Sequence, residues 1–351
     1  MWTRRPSPAL LVLLVAAALT GCGSPGTEAP AHQAVPARSG GSAKVGLVYD
    51  IEGRGDASFN DSAAAGLERA RAEFGVVTRS LTPNRGGEDR VELLRLLSQQ
   101  HYQLVFALGF LFTDAVGKVA KEFPGTTYAI VDAVVDAPNV VSLTFAQEQG
   151  SFIVGAAAAL KSHTGRVGFL GGVETGLIRQ FEAGFTAGAR YVDPRTQVEV
   201  KYLSQPPDFT GFADPARGRE VGLALYQHGA DVVYHASGGS GEGLFEAAKD
   251  FSGPGTKVWA VGVDADQYQT VDAALRPFVL TSMLKRVDLA VYDTVKAFVG
   301  SSLHPGPVAL DVRSGGIGFA TSGGAVDDIK DRLQSFETKI ANGEITVPRI
   351  P

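Results

Sequence analysis

Val45-Gly46-Leu47-Val48-Tyr49-Asp50-Ile51-Glu52-Gly53-Arg54-Gly55-Asp56-Ala57-Ser58-Phe59-Asn60-Asp61 carries three signals in succession: a strand, a polar turn and the start of a helix. Val45 to Tyr49 is a short apolar run rich in β-branched and aromatic residues, which predicts a buried strand. The Gly-rich turn ends at Ser58, with Asp61 three residues on, a spacing that predicts an N-terminal capping pair. Apolar residues then recur at Ala63, Leu67, Ala70 and Phe74, and Gly75 follows as a helix stop. Open α/β sheets bind ligands beyond the carboxyl ends of their strands, so Asp50, Ser58, Phe59 and Asn60 are expected at one rim. A Phe beside Asn and Asp suits a ligand with a flat face and polar edges.

The same alternation continues outward from this stretch. Short β-rich runs at Leu104 to Leu108, Tyr128 to Val131, Val140 to Leu143, Arg166 to Leu170, Val198 to Leu203, Asp231 to His235, Val258 to Val263 and Phe278 to Met283 read as strands. Between them, Asp89 to Gln100, Thr113 to Phe123, Glu148 to Lys161, Leu177 to Tyr191, Arg217 to His228, Gly241 to Phe251, Arg286 to Val299 and Asp327 to Ala341 read as helices. Strict alternation predicts an α/β fold of parallel sheets with helices on both faces. So many strands imply two doubly wound lobes with a cleft between them. Gly150 to Leu160 is apolar nearly all round, yet its length favours a buried helix over a membrane span.

The first residues are of another kind. Arg4 and Arg5 precede an apolar run from Ala9 to Leu19, too short to cross a bilayer, and then Leu19-Thr20-Gly21-Cys22. That tetrapeptide resembles a bacterial lipobox, which makes 1–21 a signal peptide and Cys22 the lipidated first residue of the mature chain. Cys22 is the only cysteine, so an intrachain disulfide is excluded. Residues 23–43, rich in Pro, Gly, Ser and Ala, read as a flexible tether. With 32 Lys and Arg against 37 Asp and Glu, and no basic cluster, the chain has no electrostatic footprint for nucleic acid.

Further candidates for the cleft lie at other strand ends. Val258 to Val263 runs straight into Asp264, whose carboxylate suits vicinal hydroxyls as an acidic residue suits the ribose in dinucleotide folds; a helix N-cap is its structural alternative. Asp264-x-Asp266 lacks the further ligands of a calcium loop. Asp132 ends the Tyr128 to Val131 strand in the same way. Ala236-Ser237-Gly238-Gly239-Ser240-Gly241 joins a strand to a helix, so its amides can approach a ligand, although it matches neither a phosphate loop nor a nucleophile elbow. Phe209 and Phe212 stand in a Pro-rich loop that no period explains, and one of them is expected on the far face of a flat ring. Lys285 offers one cation. The six histidines show no metal spacing.

These residues resemble a known family. The pattern Asp50…Asp56-x-Ser58-Phe59-Asn60, Ile130-Val131-Asp132-Ala133-Val134, Gln149-Gly150-Ser151-Phe152 with Gly155-x-Ala157-Ala158, Phe181-Glu182-Ala183-Gly184-Phe185, Gly238-Gly239-Ser240-Gly241, Val261-Gly262-Val263-Asp264-x-Asp266-Gln267 and Leu280-Thr281-Ser282-Met283-Leu284-Lys285-Arg286 is similar to that of the basic membrane protein family of ABC-transporter substrate-binding lipoproteins, in its purine-nucleoside-receptor branch. The resemblance covers nearly all of Lys44 to Pro351. It implies a type I periplasmic-binding-protein fold with a nucleoside between the lobes. Phe59 and Phe212 would stack on the base, Asn60 and Asp132 bond its edge, and Asp264 take the ribose hydroxyls, with Asp50, Gly238 and Lys285 at further contacts.

The expected division is an N-terminal lobe of 44–145 with 266–303 and a C-terminal lobe of 146–265 with 304–351, hinged at three crossings near Phe145, Asp264 and Leu303. The expected role is capture of a nucleoside by a monomeric, lipid-anchored receptor on the extracytoplasmic face, and its delivery to ABC permease and ATPase subunits, with no cofactor, metal or catalysis. A sugar or other small-solute receptor on the same fold is the alternative. A nucleoside hydrolase would need a carboxylate set that the sequence does not display.

Overall fold

The computed structural model describes residues 42–51 and 53–351. The expected signal peptide, Cys22 and nearly all of the expected tether lie outside the described residues. In chain order the elements are β1 (Lys44–Val48), α1 (Phe59–Phe74), β2 (Val77–Leu81), α2 (Arg90–Gln99), β3 (Leu104–Ala107), α3 (Thr113–Glu122), β4 (Thr127–Val131), β5 (Val140–Phe145), α4 (Gln147–Lys161), β6 (Arg166–Val173) and α5 (Gly176–Val192). They continue as β7 (Gln197–Ser204), α6 (Pro215–Gln227), β8 (Val232–Ala236), α7 (Gly241–Phe251), β9 (Trp259–Asp264), α8 (Gln267–Thr270), β10 (Val279–Lys285), α9 (Val287–Val299), β11 (Gly306–Leu310), β12 (Ile317–Phe319) and α10 (Lys330–Ala341).

Two six-stranded sheets form, ordered β11-β5-β4-β3-β1-β2 and β12-β10-β9-β8-β6-β7. Every pair is parallel except β10 with β12. The central strands are apolar along their whole length, as burial on both faces requires: β3, β4 and β8 are buried throughout. Each sheet repeats one doubly wound order, β2-β1-β3-β4-β5 and β7-β6-β8-β9-β10. The first strand of each half is therefore a topological switch point, where the crossovers run in opposite directions and leave a crevice. No repeat in the sequence announced this duplication, because each half needs only buried apolar strands at similar spacing, not the same side chains.

The expected lobe boundaries need correction. β10 lies within 266–303, yet it is hydrogen-bonded into the second sheet beside β9. The chain crosses back only after Lys285, and α9 packs on α1 of the first lobe. β11, expected in the second lobe, pairs with β5 in the first sheet. The three crossings therefore fall between β5 and α4, between β10 and α9, and between β11 and β12. The chain thus crosses after Phe145, at Arg286 and in the segment after Leu310, whereas the last two crossings were expected near Asp264 and Leu303. The apolar run around Ile153 and Val154 is α4, buried along most of its length against α5. Glycine permits the approach of these helices: a Cβ on Gly155 would stand 2.1 Å from the carbonyl oxygen of Phe185. Among the described residues no helix is long and apolar enough to cross a membrane.

Candidate functional site

A cavity lies between the lobes, the kind of place where small-molecule sites commonly form. Asp50, Phe59, Asn60, Asp132, Phe212, Gly238, Asp264 and Lys285, the eight residues expected at the ligand, all line it. The topology explains the convergence. Asp50 follows β1, Asp132 follows β4, Gly238 follows β8, Asp264 ends β9 and Lys285 ends β10, all at carboxyl ends of strands. Asp132 and Asp264 take positive φ angles of 68° and 63°, a left-handed conformation that Asp tolerates better than most residues and that turns each side chain out of its strand.

The 50–61 turn departs from the expected capping pair. Ser58 makes no cap; Asp56 does that work, its Oδ1 accepting from the amides of Ser58 at 3.0 Å and Asp61 at 3.1 Å and its Oδ2 from the amide of Asn60 at 2.8 Å. Asp61 reaches back to the amides of Gly55 and Ala57. Ser58 is freed to donate across the cleft, its Oγ lying 2.8 Å from Asp264 Oδ2. Ala57 O accepts from Thr270 Oγ1 at 3.0 Å, so this turn is docked on the β9–α8 corner of the other lobe. Asp264 is thus held by Ser58 and does not cap α8, which begins after Asp266.

Phe212 and Phe209 part company. Gly172 and Gly211 approach so closely that a Cβ on Gly172 would stand 2.5 Å from the Phe212 ring; this seats Phe212 in the cavity wall. Phe209 is outside the lining and meets Phe110 of the first lobe edge-on, ring centroids 6.1 Å apart. Lys285 Nζ donates to Asp132 Oδ2 at 2.5 Å, with side chains 3% and 5% exposed, and stands over the faces of Phe59 and Phe145 at 4.7 and 5.2 Å. An ammonium removed from water needs such a carboxylate and such π faces.

Burial dominates the electrostatics. It pushes the Asp50 carboxyl up to about 6, against the pull of the Ile51 backbone amide and Arg90 and with a smaller push from Asp132 and Asp56. It raises Asp264 to about 6 as well, with Lys285 and Ser58 pulling the other way. Asp56 is also raised by burial, opposed by its amide bonds. His235, behind the glycine turn, is held down to about 4 by burial. Its Nε2 lies 2.8 Å from Gln267 Oε1, which already accepts from the amide of Val263, so the ring nitrogen donates and the histidine is a neutral structural brace. Among the described residues no group of three or more His, Cys, Asp or Glu is placed to hold a metal ion.

Leu177, Ile178 and Phe181 line the cavity and escaped the sequence reading as site residues. Thr175 caps α5 by accepting from the amide of Ile178, which turns the first apolar turn of that helix toward the cleft. Helical periodicity marks such positions as buried without saying whether protein or ligand covers them.

A family model described as ABC transporter substrate-binding protein, PnrA-like (Bmp), matches residues 43–350. The chain belongs to this Bmp family. Among its relatives, the ABC transporter nucleoside-binding protein BmpA of Lactococcus lactis is 34% identical over 318 residues, covering 87% of this chain and 89% of that protein. An uncharacterized lipoprotein of Pyrococcus horikoshii is 32% identical over 318 residues, covering 88% of this chain and 75% of its own length. The crystal structure of an ABC-transporter solute-binding protein from Aeropyrum pernix superposes with a TM-score of 0.75 at 27% identity, covering 87% of this chain and 94% of that one. The Bmp protein is therefore a substrate-binding protein of an ABC transporter with the type I fold, and its family includes a nucleoside-binding member.

Proposed function

We propose that this Bmp protein captures a nucleoside between its lobes, purines foremost, and presents the closed form to its permease. The observation that carries the reading is the composition of one cavity. It receives an aromatic ring from each lobe, Phe59 and Phe212, and a buried carboxylate, Asp264, at a strand end. A base stacked between two rings gains about 1–3 kcal/mol from each. Asp264 accepts the two ribose hydroxyls, and Lys285 and the amides about Gly238 supply donors to the sugar. The nucleoside-binding relative supports the same ligand class.

The bonds that join the lobes explain how capture becomes a signal. Ser58 to Asp264 and Lys285 to Asp132 each unite side chains of opposite lobes at the ligand's expected position. A ligand that engages Asp264 and Asp132 stabilises the arrangement in which both lobes touch it, a hinge closure about three crossings. Lipidation at Cys22 would hold the receptor at the extracytoplasmic face of the membrane beside its permease and ATPase subunits, as the lipoprotein name of a relative supports.

The test is thermal denaturation with each common nucleoside, its free base and ribose in turn. A rise in melting temperature with nucleosides alone is expected. A rise with free sugars and none with nucleosides would replace the ligand while keeping the fold. Appearance of free base during incubation would mark a hydrolase instead.

A further inference from the structure

The three chain crossings that join the lobes are bonded to one another. The amide of Ala146 donates to the carbonyl of Leu310 at 2.8 Å, and the amide of Val312 donates to Gln149 Oε1 at 3.0 Å. The amide of Arg286 donates to the carbonyl of Gly316 at 2.9 Å. The first and second crossings are thus each tied to the third. Because a hinge is a few residues that absorb a change in φ and ψ, movement at one crossing has to be shared by the others.

The first crossing has the least support from its own sequence. α4 begins after Ala146, which offers the free amides of the helix start no side-chain cap. Its first turn carries Glu148 instead, with a side chain only 4% exposed. α5 fixes that residue from behind, since a Cβ on Gly184 would stand 2.1 Å from the Glu148 carbonyl oxygen. A carboxylate suits a helix N-terminus, yet once removed from water it requires a partner. The partner comes from the segment after α10. Arg349 Nε donates to Glu148 Oε1 at 2.8 Å, and among the described residues Glu148 Oε2 is buried with no hydrogen-bond partner.

That segment is anchored at both ends. At its start, Arg313 Nε on the third crossing donates to the carbonyl of Ala341, the last residue of α10, at 3.0 Å. Beyond it, Ile345 and Val347 pack half-buried on the main hydrophobic cluster, and Arg349 closes on Glu148. Residues 341–349 therefore run from the third crossing to the first.

We propose that residues 341–349 are a strap that stiffens the hinge, with Arg349 and Glu148 as its clasp. Opening the clasp strands a buried carboxylate in an uncapped helix start. The bonds from that start to Leu310 and Val312, and from the third crossing to Arg286, then slacken together. Neither Arg349 nor Glu148 lines the cavity, so the strap acts on lobe movement whatever the ligand.

The experiment is backbone hydrogen exchange, read by mass spectrometry, on the full-length protein in detergent without ligand. Wild type is compared with Arg349→Ala and with the double variant Arg349→Ala with Glu148→Gln, which removes the buried charge along with the clasp. Both variants are expected to exchange at least about tenfold faster in peptides spanning 146–149, Val312 and Arg286, with β3 unchanged. The peptides at Val312 and Arg286 decide, because Arg349 bonds to neither residue. Unchanged exchange, or acceleration confined to 146–149, would reduce the pair to a local contact and overturn the strap. So would an equal acceleration in β3, which would mark a general loss of stability. Wild-type exchange in the double variant would trace the effect to the stranded charge alone and overturn the strap as well. No ligand is present in any of these arms, so the nucleoside reading stands or falls separately.

Discussion

Lys285 of the second lobe donates to Asp132 of the first, an ion pair that spans the cleft with both side chains at most 5% exposed. Removing one member of a buried pair leaves the other charge without compensation, typically at about 3–5 kcal/mol. Lys285→Met is expected to lower the melting temperature sharply and to open the ligand-free lobes, seen as a larger radius of gyration in solution scattering. The double variant Lys285→Met with Asp132→Asn is expected to recover much of the loss. A double variant no better than the single one would show that the pair does not hold the lobes.

Asp264 separates ligand chemistry from stability. Its carboxyl is buried and raised, and its left-handed backbone is one that Asn also tolerates. Asp264→Asn is expected to weaken nucleoside binding by at least about 100-fold, while the melting temperature at neutral pH stays the same or rises. A large fall in melting temperature would identify the carboxylate as a structural group.

In the proposed site Phe59 and Phe212 meet a ring face that every base possesses. Replacing either by Ala is expected to weaken all nucleosides alike, by about 1–3 kcal/mol. Titrations in which one base loses affinity and another does not would contradict stacking.

The pH dependence has two opposite signs. Asp50 and Asp264 stand at about 6 in the fold against about 4 in an unfolded chain. The folded state therefore holds their protons more tightly, and these two groups favour folding increasingly as pH falls from 7 toward 4. Binding through the proposed Asp264 contact needs that carboxylate ionised and should weaken over the same interval. The double variant Asp50→Asn with Asp264→Asn is expected to gain melting temperature over the wild type at pH 7.5 and to lose that advantage at pH 5. A difference between the two proteins that does not vary with pH would contradict the burial argument.

Much of this architecture is legible because it follows from local rules. Apolar strands ending in Asp50, Asp132 and Asp264 announce a parallel sheet, and the carboxyl ends of such strands meet at one rim. What escaped the sequence is long-range. Whether β10 hydrogen-bonds beside β9 or returns to the first lobe is decided by sheet edges that leave no mark on its residues. Asp56, not Ser58, caps α1, because both precede a helix at plausible spacing and only the fold shows that Ser58 is engaged by Asp264, more than two hundred positions away.

The central claim, capture of a nucleoside between the lobes, is met most directly by isothermal titration of the full-length protein in detergent with guanosine, adenosine, inosine, cytidine, uridine and ribose. Micromolar or tighter binding of at least one nucleoside, about −8 kcal/mol or better, with no heat from ribose, is the predicted result. Silence from every nucleoside, or heat from ribose alone, would contradict it.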